Sequence, residues 1–206
     1  SARSVKISDD ERTGWSSERP RRDGAPRPAD VTVACRLLAP TDRMRYSPGS
    51  LVVIVGATAA ERTAFAERTV EERGAVLSPA RVRVLLEGRV PAEQIEVRAR
   101  ELLDAAVLKR LQAGQSVVVP VDGLQAEARA GLARAAHGLR RPRHLIMLDA
   151  ARDQGLDGDR AALDELRRAL EAGELGREGF QTALRLGGHT RSELKRIVFA
   201  RPPADR

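Results

Sequence analysis

A short apolar run that ends at a glycine places the strongest constraint on how this chain can fold. Residues 51–55 read Leu-Val-Val-Ile-Val, and Gly56 follows directly. Five consecutive apolar residues, most of them β-branched, predict a strand that is buried on both faces, as in a parallel sheet covered by helices. A helical stretch over 62–73 comes next and ends at Gly74, a residue type that commonly terminates helices. The order of strand, loop and helix indicates the start of a βαβ unit.

The same alternation continues to the end of the chain. Pro79 stands at a position typical of a helix start, and 160–170 has amphipathic spacing with Leu163, Leu166 and Leu170 on one face. Only 2% of the residues are aromatic, so aliphatic side chains must build the core. The pattern predicts an α/β fold with a parallel five-stranded sheet flanked by helices. The predicted strands are 51–55, 75–78, 116–121, 144–148 and 196–200, and the predicted helices are 62–73, one from 79, 92–113, 124–137 and 160–170.

The first 49 residues differ in composition from the rest. Residues 1–30 mix Ser, Pro, Gly and charged residues without apolar periodicity, which predicts a flexible arm. Residues 31–38 could form a short strand or a docking strip, and Pro40 and Pro48 interrupt the chain after it. Trp15 is the one large apolar side chain of the arm and a candidate anchor for a protein partner. We therefore expect a flexible or partner-docking arm over 1–49 and one domain over 50–206.

Several classes of protein are excluded by the residue types present. The single cysteine, Cys35, excludes an internal disulfide framework and a multi-cysteine zinc site. The three histidines are not spaced as metal ligands. No stretch approaches the ~18 apolar residues of a membrane-spanning helix, and residues 1–27 lack an apolar region like that of a signal peptide. We expect no membrane partner and a cytoplasmic location.

The charge of the chain is strongly positive. It carries 36 Lys and Arg against 29 Asp and Glu, for a net charge of +7. Such a balance is typical of proteins with an anionic partner such as nucleic acid. A general bias toward Arg and Ala would produce the same charge without any binding. A nucleic-acid partner therefore stays open at this point.

The loop after the first predicted strand follows a phosphate-binding template in half of its positions. Residues 56–63 read Gly-Ala-Thr-Ala-Ala-Glu-Arg-Thr, against G-x-x-x-x-G-K-[ST]. Gly56 and Thr63 match, whereas Glu61 replaces the second glycine and Arg62 the lysine. A carboxylate about 4 Å from a phosphate costs roughly 1 to 4 kcal/mol at partly screened dielectric values, and arginine reaches phosphates differently from lysine. The loop predicts weakened nucleotide binding, with Thr63 as a candidate Mg²⁺ ligand.

Two further segments extend this pattern. Residues 76–83 read Val-Leu-Ser-Pro-Ala-Arg-Val-Arg, and 124–129 read Leu-Gln-Ala-Glu-Ala-Arg after the predicted strand at 116–121. In order and spacing the chain from 50 to about 201 resembles the P-loop kinase family that includes bacterial polynucleotide 5′-kinases. The resemblance implies a P-loop NTPase-like fold and a substrate or anion site that includes Arg83 and Arg129. It also implies lid arginines that contact the phosphates, for which Arg152 and Arg160 are the candidates.

The catalytic positions implied by the resemblance carry other residues. Ala80 stands where the family has its general base, and Pro120 where the third strand ends in an acid. Asp122 follows two residues later and is the remaining candidate for a catalytic or Mg²⁺-binding acid. Phosphoryl transfer depends almost wholly on placed charges and metal, so these changes together should abolish it.

We therefore expect a catalytically degenerate, kinase-like domain that acts as a binding or assembly module and needs no cofactor. Arg62, Arg83 and Arg129 would keep a weak affinity for anions or nucleic acid. One alternative is an active, divergent kinase that uses ATP and Mg²⁺ on nucleic-acid 5′ ends or a small hydroxylated substrate, with Arg62 replacing the lysine and Thr63 and Asp122 on the metal. A further alternative is a basic nucleic-acid-binding accessory protein.

Overall fold

A computed structural model of the chain describes residues 31–121, 124, 126–150 and 157–204. This part of the chain contains seven strands, six α-helices and three short 3₁₀ turns. The strands are β1 Arg36–Leu37, β2 Arg43–Tyr46, β3 Leu51–Gly56, β4 Val117–Pro120, β5 Arg143–Leu148, β6 Thr182–Leu186 and β7 Arg196–Phe199. The helices are α1 Ala59–Thr69, α2 Pro79–Leu86, α3 Ile95–Gln112, α4 Ala126–Gly138, α5 Asp157–Glu171 and α6 His189–Glu193, and the 3₁₀ turns are Arg73–Ala75, Ala92–Gln94 and Glu174–Glu178.

Five strands form one parallel sheet in the order β1-β6-β5-β3-β4. The strand β3 lies between β5 and β4, with Leu51 opposite both Arg143 and Val117. All its apolar side chains are buried, which is why its sequence is a continuous apolar run rather than an alternating one. The predicted α/β fold with a five-stranded parallel sheet flanked by helices is confirmed.

Helices cover both faces of the sheet. Because side chains alternate along a strand, Val53 and Val55 pack into one apolar cluster, and Val52 and Ile54 into another. The first cluster contains apolar side chains of α3, α4 and α5, and the second those of α1, β2 and β7. The strand β3 and the loop that follows it are therefore held from both sides.

The helices predicted within the domain agree with the structure to within a few residues. The predicted stretches 62–73, 92–113, 124–137 and 160–170 correspond to α1, α3, α4 and α5, and α2 begins at Pro79 as expected. No helix among the described residues is both long enough and apolar enough to cross a bilayer.

Two predicted strands lie elsewhere than expected. Of the predicted strand 75–78, only Val76 forms a bridge, to Val118 of β4. The segment is too short for a strand, because a 3₁₀ turn ends at Ala75 and α2 begins at Pro79. The last strand, β7, pairs in parallel with β2 and forms a separate two-stranded sheet. The large sheet therefore contains neither 75–78 nor β7. It contains β1 and β6 instead, and β6 was not predicted.

Residues 31–49 are part of the folded unit, which begins at Val31. Within them β1 pairs with β6, placing Arg36 opposite Thr182, and β2 pairs with β7. Of the two alternatives predicted for 31–38, the short strand is observed, as β1. The arm predicted over 1–30 lies outside the described residues and stays a prediction.

Candidate functional site

The turn that leaves β3 requires glycine at its first position. Gly56 has φ of +85°, and a Cβ at this residue would lie 2.2 Å from the carbonyl oxygen of Leu148 on β5. The next residue, Ala57, also has positive φ, at 49°. Thr58 then returns to extended backbone and is the N-cap of α1. The sequence-predicted loop is thus a tight strand-to-helix turn at the carboxyl end of β3, an interior strand of the sheet.

Arg62 points back into this turn. Its side chain is buried, with 5% of the residue exposed. Nη1 donates hydrogen bonds to the carbonyl oxygens of Gly56 at 3.0 Å and Ala57 at 3.2 Å. The guanidinium that replaces the phosphate-binding lysine is therefore engaged by the backbone of the loop itself.

Glu61 caps the helix rather than filling the turn. The backbone N–H of Thr58 donates to Glu61 Oε2 at 2.9 Å, and the N–H of Glu61 donates to Thr58 Oγ1 at 3.2 Å. This reciprocal arrangement is a capping box, and it places a carboxylate at the positive end of the helix dipole. Helix N-terminal amides are the groups that bind phosphate in a P-loop. Here the amides of Thr58 and Glu61 donate to acceptors of the chain itself.

A second arginine reaches the same place from α6. Arg191 Nη1 lies 3.4 Å from Glu61 Oε1, and its Nη2 donates to the carbonyl oxygen of Asp149, one residue after β5. Both charged side chains are mostly buried, at 23% and 29% exposed. Arg191 thereby connects the start of α1 to the end of β5. Sequence reasoning missed it because β6, the strand that leads to α6, was not predicted.

Asp149 is held by arginines of this chain. Arg185 Nε lies 3.1 Å from its Oδ2, and Arg167 Nε lies 3.8 Å from its Oδ1. A Cβ on Gly187 would lie 2.4 Å from the Asp149 carboxylate, so that position must be small. The acid at the end of β5 is therefore part of a network of ion pairs.

The other residues of the predicted phosphate site are dispersed or not described. Thr63 lies on α1, partly exposed, one residue after Arg62, and Arg160 is exposed on α5. Asp122 and Arg152 lie outside the described residues, so their predicted roles stay predictions. Over the described ranges, no three His, Cys, Asp or Glu side chains are grouped in a way that could hold a metal ion.

The two predicted anion-binding arginines form separate ion pairs. Arg83 Nε on α2 lies 2.9 Å from Glu96 Oε1 on α3. Arg129 on α4 is buried, and its Nε and Nη2 donate to the two carboxylate oxygens of Glu178 at 3.0 and 3.1 Å. Its Nη1 donates to the carbonyl oxygen of Leu124 at 2.9 Å. An anion at Arg129 would have to displace this bidentate partner, so the geometry does not favour the predicted role.

A cavity that the sequence did not predict opens beside the end of β4. Its volume is about 440 Å³, and α2, α3 and α4 enclose it. Val119 of β4 and Val121, which follows the strand, form its floor, with Leu103 and Leu132 on the walls. Arg83 lines it as well, which gives that residue a place in a site other than the phosphate loop. Sequence periodicity marks these valines and leucines as core and cannot show that they leave a space.

At the opposite, amino end of the sheet, one histidine is buried without a metal role. His144 Nδ1 lies 2.7 Å from Thr182 Oγ1, and its ring centroid lies 4.6 Å from that of Tyr46. Burial, together with the positive charges of Arg143 and Arg36, lowers the pKa of His144 to about 4. The neutral ring serves packing and one hydrogen bond.

Comparisons with known proteins give no family. No family model matches the chain, and the search of curated proteins found no match. Among solved structures, one similar chain is a "putative kinase" from Chloroflexus aurantiacus J-10-fl, with 15% identity and a TM-score of 0.43 over 68% of this chain and 86% of that one. Another is the tunicamycin resistance protein of Deinococcus radiodurans, with 18% identity and a TM-score of 0.39 over 70% of this chain and 91% of that one. Similarities at this level carry no argument about activity, substrate or partner.

Proposed function

We propose that this chain is a catalytically degenerate, kinase-like P-loop domain that acts as a binding or assembly module. The observation that carries the proposal is the position of Arg62. Its guanidinium donates to the carbonyl oxygens of Gly56 and Ala57, on the inner side of the turn where a phosphate loop binds its ligand. A nucleotide phosphate at this turn would require the buried arginine to leave its backbone partners.

Two further contacts support the same proposal. The Glu61 carboxylate accepts from the Thr58 amide, so a phosphate would compete with a covalently tethered anion. Arg191 pairs with the other oxygen of Glu61 and holds the carboxylate in place. Phosphoryl transfer also needs a general base, and Ala80, which stands at the position where the resemblance places that base, cannot accept a proton.

The proposal predicts that Mg²⁺ and ATP do not stabilise the protein. A ligand present at 100 times its Kd raises the free energy of unfolding by about 2.7 kcal/mol, which a thermal-unfolding measurement on the full chain detects readily. We expect no change in Tm with millimolar Mg·ATP. The double variant Glu61→Gly, Arg62→Lys restores the loop template, and we expect it to gain ATP-dependent stabilisation. A matched control is Glu67→Gly, Arg68→Lys, which makes the same changes at exposed positions of α1.

Two results would overturn the proposal in favour of an active, divergent kinase. The first is a clear rise in the Tm of the unaltered chain with Mg·ATP. The second is transfer of labelled γ-phosphate to a nucleic-acid 5′ end or a small hydroxylated acceptor, at a rate lost in both Arg62→Ala and Thr63→Ala.

The proposal also states that the module binds a protein partner through its N-terminal arm. Trp15 is the only aromatic residue before Tyr46, and aromatic anchors dominate the binding energy of many interfaces. We expect a partner recovered with the full chain from cell extract to be lost with Trp15→Ala and kept with Ser17→Ala. Equal recovery with both variants would remove the arm from the proposal.

A further inference from the structure

The cavity beside β4 has an apolar interior. Val119 and Val121 rise from the carboxyl end of the strand, and Leu103 and Leu132 face it from α3 and α4. Each of these four side chains is at most 9% exposed. A volume of about 440 Å³ lies within the range of small-molecule sites and far exceeds the space of ordinary packing defects.

The rim of the cavity carries balanced charge. Arg83 and Glu96 pair with each other across α2 and α3. Arg100 and Asp104 also line it, one turn apart on the same side of α3, since residues four apart lie above each other on a helix. In the part of the chain that the structure describes, no ion pair involving Arg100 or Asp104 is found. One guanidinium and one carboxylate thus stand at the mouth of an apolar space.

We propose that this cavity binds a small zwitterion with an apolar body, the chemistry of a large apolar amino acid. Arg100 binds the ligand's carboxylate, Asp104 binds its ammonium group, and the side chain enters the space between Val119, Leu103 and Leu132. The inference rests on the proposed function in one respect, because it names a ligand for the binding module. It uses neither the phosphate loop nor any residue that contacts it.

The same features argue against a phosphorylated ligand. Among the described residues that line the cavity, four are charged and their charges sum to zero, so they provide no excess positive charge to offset a phosphate's two negative charges. A zwitterion, in contrast, finds a partner for each of its charges and buries an apolar group in an apolar space. Charge-assisted hydrogen bonds then fix its orientation.

The test uses L-phenylalanine as the probe on the full-length protein. Methyl-labelled NMR is expected to show saturable shifts at Val119, Val121, Leu103 and Leu132. Two truncated probes separate the charges: 3-phenylpropionate lacks the ammonium group, and phenethylamine lacks the carboxylate. We expect each to bind roughly two- to fivefold more weakly than L-phenylalanine, because Arg100 and Asp104 are exposed and solvent weakens ion pairs at the surface.

Variants assign the two charges. Arg100→Gln should abolish the advantage of L-phenylalanine over phenethylamine, and Asp104→Asn its advantage over 3-phenylpropionate. The matched controls are Arg98→Gln and Glu101→Gln, which lie on the same helix as an exposed pair and do not line the cavity. Both controls should bind like the unaltered chain. All four positions are exposed, so these variants are expected to fold.

A filling variant tests the apolar space. Ala128→Trp places an indole into the cavity from α4, and Ala126→Trp places one at an exposed position of that helix. The first should eliminate binding and the second should not. If circular dichroism shows that Ala128→Trp is unfolded, the inference is tested by the charge variants and the truncated probes without it.

Three results would overturn the inference. One is the absence of methyl shifts at the cavity with L-phenylalanine in the tens of millimolar. Another is equal affinity for the zwitterion and both truncated probes, which indicates an apolar site without charge recognition. The last is tighter binding of AMP or inorganic phosphate at the same methyl groups. None of these measurements involves ATP at the phosphate loop, so failure here and failure of the proposed function are distinguishable.

Discussion

Arginine and lysine carry the same charge, yet they differ in geometry. At position 62 this difference affects whether the side chain binds the backbone of the loop. An arginine has five N–H donors in a planar fork, so Arg62 can bond two carbonyl oxygens of one tight turn while it stays buried. A lysine would present a single, strongly hydrated ammonium group to the same space. The motif comparison marks the substitution, but only the structure gives the direction of the side chain.

His144 provides a residue-scale prediction about pH. Its pKa is lowered to about 4 in the folded protein by burial, with Arg143 and Arg36 adding to the effect, against about 6.5 in the unfolded chain. Between these values the unfolded chain binds more protons than the folded one, so the free energy of unfolding rises with pH. The full difference amounts to about 3 kcal/mol, gained between pH 4 and 6.5 and constant above.

Urea unfolding from pH 4.5 to 7.5 measures this contribution. The variant His144→Asn keeps a partner for Thr182 and cannot titrate, so the difference between the two curves isolates the histidine from the carboxylates. A difference that does not change with pH would show that His144 is accessible to protons in the folded state.

The sequence could predict the parts of the site whose residues lie close together along the chain, and no others. Gly56 and Thr63 belong to one eight-residue template, and the loop lies where that template placed it. Arg83 and Arg129 were expected to bind anions. Their partners, Glu96 and Glu178, lie 13 and 49 residues away along the chain, and no pattern in a single sequence pairs residues at such distances.

At the scale of elements, the start of α1 depends on its capping box. Thr58 accepts from the amide of Glu61 and donates its own amide to the Glu61 carboxylate. Replacing an N-cap threonine by alanine costs about 1 kcal/mol. We expect Thr58→Ala to lower the free energy of unfolding by that amount in urea titrations. Thr58→Ser retains the acceptor oxygen and should remain close to the unaltered chain, and an equal loss in both variants would contradict the role of the cap.

The sequence did not predict β6, and it gave a strand near β1 only as one of two alternatives. β1 has two residues, and β6 has five, with the charged Arg185 as its fourth. Their strand character depends on partners that are distant in sequence, because β1 pairs with β6, and β6 also pairs with β5 over its whole length. In contrast, β3 and β5 are each buried over their whole length, and their apolar runs were sufficient to predict them. The strand β7 was predicted as a strand, but its partner β2 could be known only from the fold.

The folded unit that begins at Val31 is built on a sheet with an apolar layer on each face, and the two layers should contribute independently to its stability. Leu166 of α5 belongs to one layer and Leu194, which follows α6, to the other, and both are buried. We expect Leu166→Ala and Leu194→Ala each to reduce the free energy of unfolding by about 2 to 5 kcal/mol. The effects in the double variant should add to within about 0.5 kcal/mol, as for sites without shared partners. A departure of more than about 1 kcal/mol would show that the sheet transmits strain between its faces.

Arg62, which binds the turn after β3, has one more consequence if the proposed function holds. In an ordinary kinase that turn is filled only while a nucleotide is bound, so its occupancy changes during each catalytic cycle. Here the occupant is part of the polypeptide and is present at a fixed ratio of one to one. On the proposed function, the turn would stay filled at any nucleotide concentration, so a partner would meet the same surface with and without nucleotide.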